Sequence, residues 1–314
     1  MRVLFIDSVH PILKERLEKS GMDCVSGETL SKQEVLAQIS DFQGIVIRSK
    51  FIVDREFLKK ASSLRFIARS GSGLENIDLE TARKKGITIF NSPEGNRNAV
   101  AEHAIGMLMS LFNNLNNADR EVRNGLWQRE ANRGIELEGK KVGLLGYGNT
   151  GQAFARVLSG FGCSVYAYDK YLKSWPDENA ISCNVKTIQK ECDILSLHLP
   201  LTKETNGWID HDFMVKFSKP FYLINTSRGP IVKTRHLVEG IKSGKILGAC
   251  LDVLEYEESS FELSSAITNP DLEYLTSSNK VILSPHVAGW TVESYFKLSN
   301  VLADKILAEL GIQE

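Results

Sequence analysis

Three short segments carry side chains of the kinds that move protons and grip carboxylates. They are Asn225-Thr226-Ser227-Arg228, Asp252-Val253-Leu254-Glu255-Tyr256-Glu257 and Ser284-Pro285-His286. Histidine exchanges a proton near neutral pH. A carboxylate beside it favours the imidazolium and orients the ring, and arginine pairs with a substrate carboxylate through two parallel hydrogen bonds. A fourth segment, Gly146-Tyr147-Gly148-Asn149-Thr150-Gly151, has the glycine spacing of a phosphate-binding turn. Gly146 permits the tight turn, Gly148 lets the backbone approach a pyrophosphate, and Gly151 lets helix and strand pack closely. The helix start at Asn149 and Thr150 then offers bare N–H groups and its dipole to a diphosphate. Asp169 stands eighteen residues after Gly151. A carboxylate there accepts hydrogen bonds from ribose hydroxyls and repels a 2′-phosphate, so NAD is expected rather than NADP.

These residues need a scaffold that brings strand ends together. Short apolar runs alternate with amphipathic stretches, the pattern of parallel sheets covered by helices. Four strands are expected early, at Val3–Ile6, Gly44–Arg48, Arg65–Arg69 and Gly86–Phe90, with helices over 11–19, 31–39, 54–61 and 79–85 between them. A long helix is expected from Asn98 to about Arg123, with Leu111 and Leu115 on its apolar stripe. Six more strands follow, at Lys141–Leu145, Ser164–Tyr168, Ile194–His198, Tyr222–Asn225, Gly248–Val253 and Val281–Ser284, and a closing helix over 291–310. The glycine turn sits between the first of these six strands and a helix, and the three ionisable segments sit at the ends of later ones. That is where open α/β sheets bind ligands. The stretch Glu255–Lys280 is the one long loop.

Composition narrows the classes further. The 314 residues are 42% hydrophobic and 25% charged, values of a globular chain and of neither a disordered nor a collagen-like one. Lys and Arg number 38 against 39 acidic residues, so no global field attracts nucleic acid or an anionic membrane. Five scattered cysteines with no Cys-x-x-Cys pair favour reduced thiols, and no metal site is expected. No apolar run approaches the ~20 residues of a membrane span, and the N-terminus reads as a buried strand rather than a signal peptide. A cytoplasmic protein is expected.

Arg228, Glu257 and His286, with Gly146–Gly151 and Asp169, resemble the D-isomer-specific 2-hydroxyacid dehydrogenase family. The likeness runs from Arg48-Ser49 and Gly71-Ser72-Gly73-Leu74-Glu75 through Val100-Ala101-Glu102 to His286. It implies two Rossmann-like or flavodoxin-like domains with doubly wound parallel sheets and a cleft between them. Residues 1–95 with 290–314 would form the substrate domain and 96–289 the NAD domain. Arg228 would bind the carboxylate and 2-oxygen of the substrate. His286 would exchange a proton with the 2-hydroxyl, and Glu257 would keep His286 basic. Thr226, Ser227 and Asp252 match cofactor-contacting positions, and Ser72 and Gly73 match a loop that holds the substrate carboxylate. Glu75 replaces a more usual Asp, Glu258 replaces a more usual Pro, and the loop after Glu257 is longer than typical.

Within the family, Arg48, Arg69 and Arg129 match positions of the 3-phosphoglycerate dehydrogenases, whose substrate carries a phosphate. Guanidinium groups suit a dianionic phosphate. The resemblance therefore implies oxidation of 3-phospho-D-glycerate, a step of serine biosynthesis, in a short form without a regulatory domain. An unphosphorylated acid such as glyoxylate or hydroxypyruvate is the alternative, and an NAD(H)-sensing corepressor-like protein a further one. The segment from Asn98 through Trp127 resembles the arm through which the family forms homodimers.

Overall fold

The computed structural model describes residues 1–172, 175, 177–257 and 269–312. Residues 258–268 of the expected long loop, Glu258 among them, lie outside these. The chain divides into two units, Met1–Arg97 with Trp290–Glu314, and Asn98–Gly289. Both are α/β.

In the first unit, strands β1 (Arg2–Phe5), β2 (Asp23–Ser26), β3 (Gly44–Ile47), β4 (Phe66–Arg69) and β5 (Thr88–Asn91) form one parallel sheet. Their spatial order is β2-β1-β3-β4-β5, the flavodoxin-like winding, which switches direction between β1 and β3. Every residue of β3 and β4 is buried, as expected of apolar runs in a sheet covered on both faces, and the burial extends to Arg69 at the end of β4. The short helices start where capping side chains stand. Ser31 and Glu34 form a reciprocal capping box before Lys32–Gln38, and Asp54 accepts the Phe57 amide at 2.8 Å before Arg55–Lys60. The last helix, Val292–Glu309, returns to this unit and packs Leu302, Ala303, Ile306 and Leu307 against Val3, Phe5, Leu13 and Leu17.

In the second unit, β6 (Lys141–Leu145), β7 (Ser164–Tyr168), β8 (Ile181–Ser182), β9 (Ile194–Leu197), β10 (Phe221–Asn225), β11 (Ile246–Leu251) and β12 (Val281–Leu283) form a parallel sheet ordered β12-β11-β10-β9-β6-β7-β8. This is the Rossmann order with a seventh strand, and its switch point lies between β6 and β9. Apolar clusters cover both faces, one around Leu144, Phe154 and Ala167, the other around Leu195, Phe213 and Leu237.

Four details depart from the sequence reading. Pro270–Ser277, inside the stretch read as one long loop, is a helix, capped by Asn269 accepting the Asp271 amide at 2.8 Å. β2 and β8 are additional edge strands. The expected single helix from Asn98 is two, Pro93–Phe112 and Leu115–Arg123, broken at Asn114, whose φ of 52° no helix accommodates. The break also divides the apolar stripe, for Leu111 and Phe112 are core while Leu115 is exposed. No described helix is long and apolar enough to cross a membrane.

Candidate active site

The glycine turn follows β6 directly. Gly146 has φ 93°, and a Cβ there would collide with the carbonyl oxygen of His198 at the end of β9, the neighbouring strand across the switch point. A Cβ at Gly151 would strike the Gly146 carbonyl oxygen. Gly148 faces open space and caps the helix Asn149–Leu158 without a side-chain hydrogen bond. The amides at that helix start, including those of Asn149 and Thr150, therefore stand beside an open backbone, as a pyrophosphate requires. Gly151→Ala is expected to lower stability by about 2–3 kcal/mol, because the obstructing atom is backbone. It should also weaken NAD binding. Denaturant midpoints and an NAD titration would show both, and a variant matching the wild type in each would contradict this packing.

Asp169 caps the site from the end of β7. Its Oδ2 accepts the Tyr147 amide at 2.8 Å, and Oδ1 accepts the amides of Tyr171 and Leu172 at 2.8 and 3.0 Å. The carboxylate is thus fixed against the second residue of the glycine turn. Each carboxylate has about four lone-pair sites, so acceptor capacity remains for hydroxyl donors.

His198 is buried, its ring 5.3 Å from that of Phe154 and its Nε2 3.0 Å from Ser196 Oγ. Burial holds its pKa down to about 3, from an ordinary 6.5. The folded protein keeps it neutral, whereas the unfolded chain takes up a proton below its ordinary value. Stability contributed by this group is therefore complete above pH 6.5 and is lost as pH falls toward 3. The limiting slope is about 1.4 kcal/mol per pH unit. Urea midpoints measured across this range should fall for the wild type and fall less steeply for His198→Leu.

Beyond β10, Asn225 holds its own loop. Its Oδ1 accepts from the Ser227 amide and hydroxyl at 3.1 and 2.8 Å, and its Nδ2 donates to the Arg228 carbonyl at 3.0 Å. Arg228 Nη1 donates to the Ser227 carbonyl at 2.6 Å. Thr226 is buried, and its Oγ1 has no hydrogen-bond partner among the described residues. An orphaned hydroxyl at the carboxyl end of β10, in the same parallel sheet as the glycine turn, fits a dinucleotide, which would satisfy it. Gly229 must be glycine, since a Cβ would collide with the Leu254 carbonyl.

Two glutamates compete for the histidine in sequence, and the structure separates them. Glu255 turns to the start of helix Thr234–Lys242, accepting from Lys233 Nζ at 2.8 Å and the Thr234 amide at 2.9 Å. Burial works to raise its pKa, but these donors hold it below the ordinary value. Glu257 Oε2 lies 2.7 Å from His286 Nδ1, and its other oxygen accepts the Leu254 amide. A carboxylate only accepts, so Nδ1 carries the proton in this pair.

His286 occupies the left-handed region at φ 55°, unusual for a non-glycine residue. Asp252 imposes it. Its side chain is 1% exposed, and Oδ1 accepts from Ser284 Oγ at 2.6 Å and the Val287 amide at 2.8 Å, while Oδ2 accepts the Ala288 amide at 2.9 Å. The Asp252 carbonyl takes the His286 amide at 2.8 Å. His103, from helix Pro93–Phe112, completes the cluster with Nε2 at 2.8 Å from Ser284 Oγ. Sequence reasoning passed over His103 and Ser284, although both lie inside or beside quoted motifs.

The remaining candidates divide between the units. Arg48 follows β3 and Arg69 ends β4, both in the first unit. Arg129 is exposed, beyond helix Leu115–Arg123 in the second. Arg69 is buried, and its guanidinium lies where a Cβ on Gly71 (φ 147°) would stand. Ser72 and Gly73 are half-buried in the turn after β4, with Ser72 Oγ donating to Asn96 Oδ1 at 2.8 Å. The five cysteines are unpaired, and no group of three or more His, Cys, Asp or Glu among the described residues is placed to hold a metal ion.

A parallel Rossmann-order sheet with a glycine-rich turn at its switch point defines a dinucleotide-type domain. Residues 105–288 match the NAD binding domain of D-isomer specific 2-hydroxyacid dehydrogenases, and the chain belongs to that family. It is 33% identical over 312 residues to the D-3-phosphoglycerate dehydrogenase of Archaeoglobus fulgidus, covering 98% of this chain and 57% of that one. It is 34% identical over 299 residues to the hydroxypyruvate reductase of Thermotoga maritima, covering 95% and 93%. The D-lactate dehydrogenase of Aquifex aeolicus, solved with NAD and lactic acid, superposes with a TM-score of 0.83 at 26% identity, covering 99% and 96%.

Proposed function

We propose that the chain is an NAD-dependent 2-hydroxyacid dehydrogenase whose substrate is 3-phospho-D-glycerate. The observation that carries the reaction class is the Glu257–His286 pair, in which the carboxylate lies 2.7 Å from Nδ1 and so orients the ring. Bound NAD supplies a hydride acceptor. His286 Nε2 takes the proton of the substrate 2-hydroxyl as the hydride leaves C2, and returns it in the reverse direction. Glu257 stabilises the imidazolium so formed and holds the ring in one tautomer. Arg228 binds the substrate carboxylate and 2-oxygen, and Ser72 and Gly73 support the carboxylate. Thr226 and Ser227 meet the cofactor with Gly146, Gly148, Asn149, Thr150, Gly151 and Asp169, and Asp252 lies near its carboxamide end.

Arg48, Arg69 and Arg129 are assigned to the phosphate. Arg48 supports this best, because it stands at the switch point of the first sheet, where doubly wound folds receive ligands. The relatives named D-3-phosphoglycerate dehydrogenase point the same way. A second reading, reduction of unphosphorylated hydroxypyruvate, is favoured by the Thermotoga relative, which this chain covers almost completely. The test is NADH formation with 3-phospho-D-glycerate beside D-glycerate and D-lactate, with reverse assays on phosphohydroxypyruvate, hydroxypyruvate and glyoxylate. A preference of about tenfold or more in kcat/KM for phosphorylated substrates, about 1.4 kcal/mol, supports the proposal. A preference for the unphosphorylated acids replaces it with the second reading.

A homodimer is proposed through the segment from Asn98 to Trp127. Leu115, Val122, Leu126 and Trp127 are exposed there, Trp127 by 83%. Sedimentation at the monomer mass would refute it.

A further inference from the structure

Arg48 is held more firmly than a solvated arginine needs to be. Its backbone amide and those of Ser49 and Lys50 all donate to one oxygen of Asp7, at 2.6, 3.1 and 3.2 Å. Asp7 follows β1 and Arg48 follows β3, so this clamp closes across the point where the first sheet changes winding direction. Asn76 Nδ2 donates to the Arg48 carbonyl at 3.0 Å. The guanidinium itself lies over the ring of Trp290, 4.2 Å from its centroid, and Nη1 donates to the Ser8 carbonyl at 3.4 Å. Trp290 is in turn fixed edge-to-face on Tyr295 at 5.7 Å, and Tyr295 on His10 at 5.5 Å. The indole is nevertheless half exposed.

A large aromatic ring left half in water, yet locked by a ladder of rings, has a use other than core packing. Stacking engages the face of a guanidinium and leaves its in-plane N–H donors directed outward. Of five such donors, one reaches a protein acceptor among the described residues, the Ser8 carbonyl. We propose that Trp290 is a specificity-determining positioning residue that holds Arg48 flat and presents its edge to the anionic group at the far end of the substrate. This rests on the reading that Arg48 meets the substrate, and it assigns to Trp290 the orientation of that contact. Lysine could not replace Arg48 in this arrangement, since a point charge has no edge for the ring to orient.

The experiment is a double-mutant cycle of Trp290→Leu and Arg48→Leu, with Trp290→Phe as the variant that keeps an aromatic face. KM and kcat are measured for phosphohydroxypyruvate and hydroxypyruvate, and melting midpoints confirm folding. Trp290→Leu is expected to raise KM for phosphohydroxypyruvate about fivefold with kcat retained. It should leave KM for hydroxypyruvate unchanged and add nothing once Arg48 is Leu. Trp290→Phe should recover most of the loss. Effects that multiply in the double variant, or a Trp290→Leu protein indistinguishable from the wild type, overturn the proposal. Should the wild type prefer unphosphorylated acids, the substrate reading fails on that ratio alone. The cycle run on the preferred acid still decides whether Trp290 acts through Arg48.

Discussion

His286→Ala is expected to lower kcat by about a thousandfold, within the range ordinarily supplied by a positioned acid–base group. NAD affinity should stay within about twofold, because the glycine turn that would hold the dinucleotide follows β6, and His286 follows β12. Glu257→Gln is the instructive companion. An amide oxygen can still accept from Nδ1–H, so the ring keeps its tautomer, but the imidazolium loses its counter-charge. A smaller fall is expected, on the order of tenfold to a hundredfold. Steady-state kinetics of the two variants would read both falls. An alanine variant retaining wild-type kcat would remove His286 from the reaction.

Asp252 carries the second large effect, and the expected failure is structural as well as catalytic. Asp252→Ala strips the acceptor from the Ser284 hydroxyl and the Val287 and Ala288 amides in a buried site. Each buried donor left unmade costs about 1–3 kcal/mol, so a loss of several kcal/mol in urea unfolding is expected. The side-chain acceptor that gathers residues 284–288 around His286 is then gone, and kcat should fall even in molecules that remain folded. Asp252→Asn is not conservative here. Both carboxylate oxygens accept, so one end of the amide must point a donor at a donor. The variant should therefore resemble Asp252→Ala more than the wild type. Wild-type stability in Asp252→Asn would mean that one of these three hydrogen bonds contributes nothing.

The residues that resemble a family motif were legible in sequence because each sits beside local signals. The glycine turn lies between a visible apolar strand and a helix, and Arg228 and His286 follow runs whose β character is plain. The second unit's six longer strands were legible for the same reason. Its seventh, β8, has two exposed residues, and β2 alternates over only four, so neither offers an apolar run. Asn114 breaks its helix through a backbone conformation that no pattern of apolar residues announces. Glu257 was preferred to the nearby Glu255 in sequence only by its spacing of twenty-nine residues from Arg228, and no sequence pattern announces that Lys233 and the Thr234 amide hold Glu255 elsewhere. Asp7, His103 and Trp290 were illegible for one shared reason. Each acts through a partner dozens to hundreds of residues away, and single-sequence periodicity carries no such pairing.

The insertion of one unit within the other also sets an order of events during synthesis. Residues Asn98–Gly289 are contiguous, so this unit has all of its sheet once β12 has left the ribosome. The first unit begins emerging earlier yet finishes later. Val3, Phe5, Leu13 and Leu17 wait for Leu302, Ala303, Ile306 and Leu307 to cover them, and burial of such side chains supplies about 1.5–3 kcal/mol each. A nascent chain therefore exposes the apolar faces of β1 and of helix Pro11–Lys19 until helix Val292–Glu309 arrives. That interval is when a ribosome-associated chaperone has something to hold.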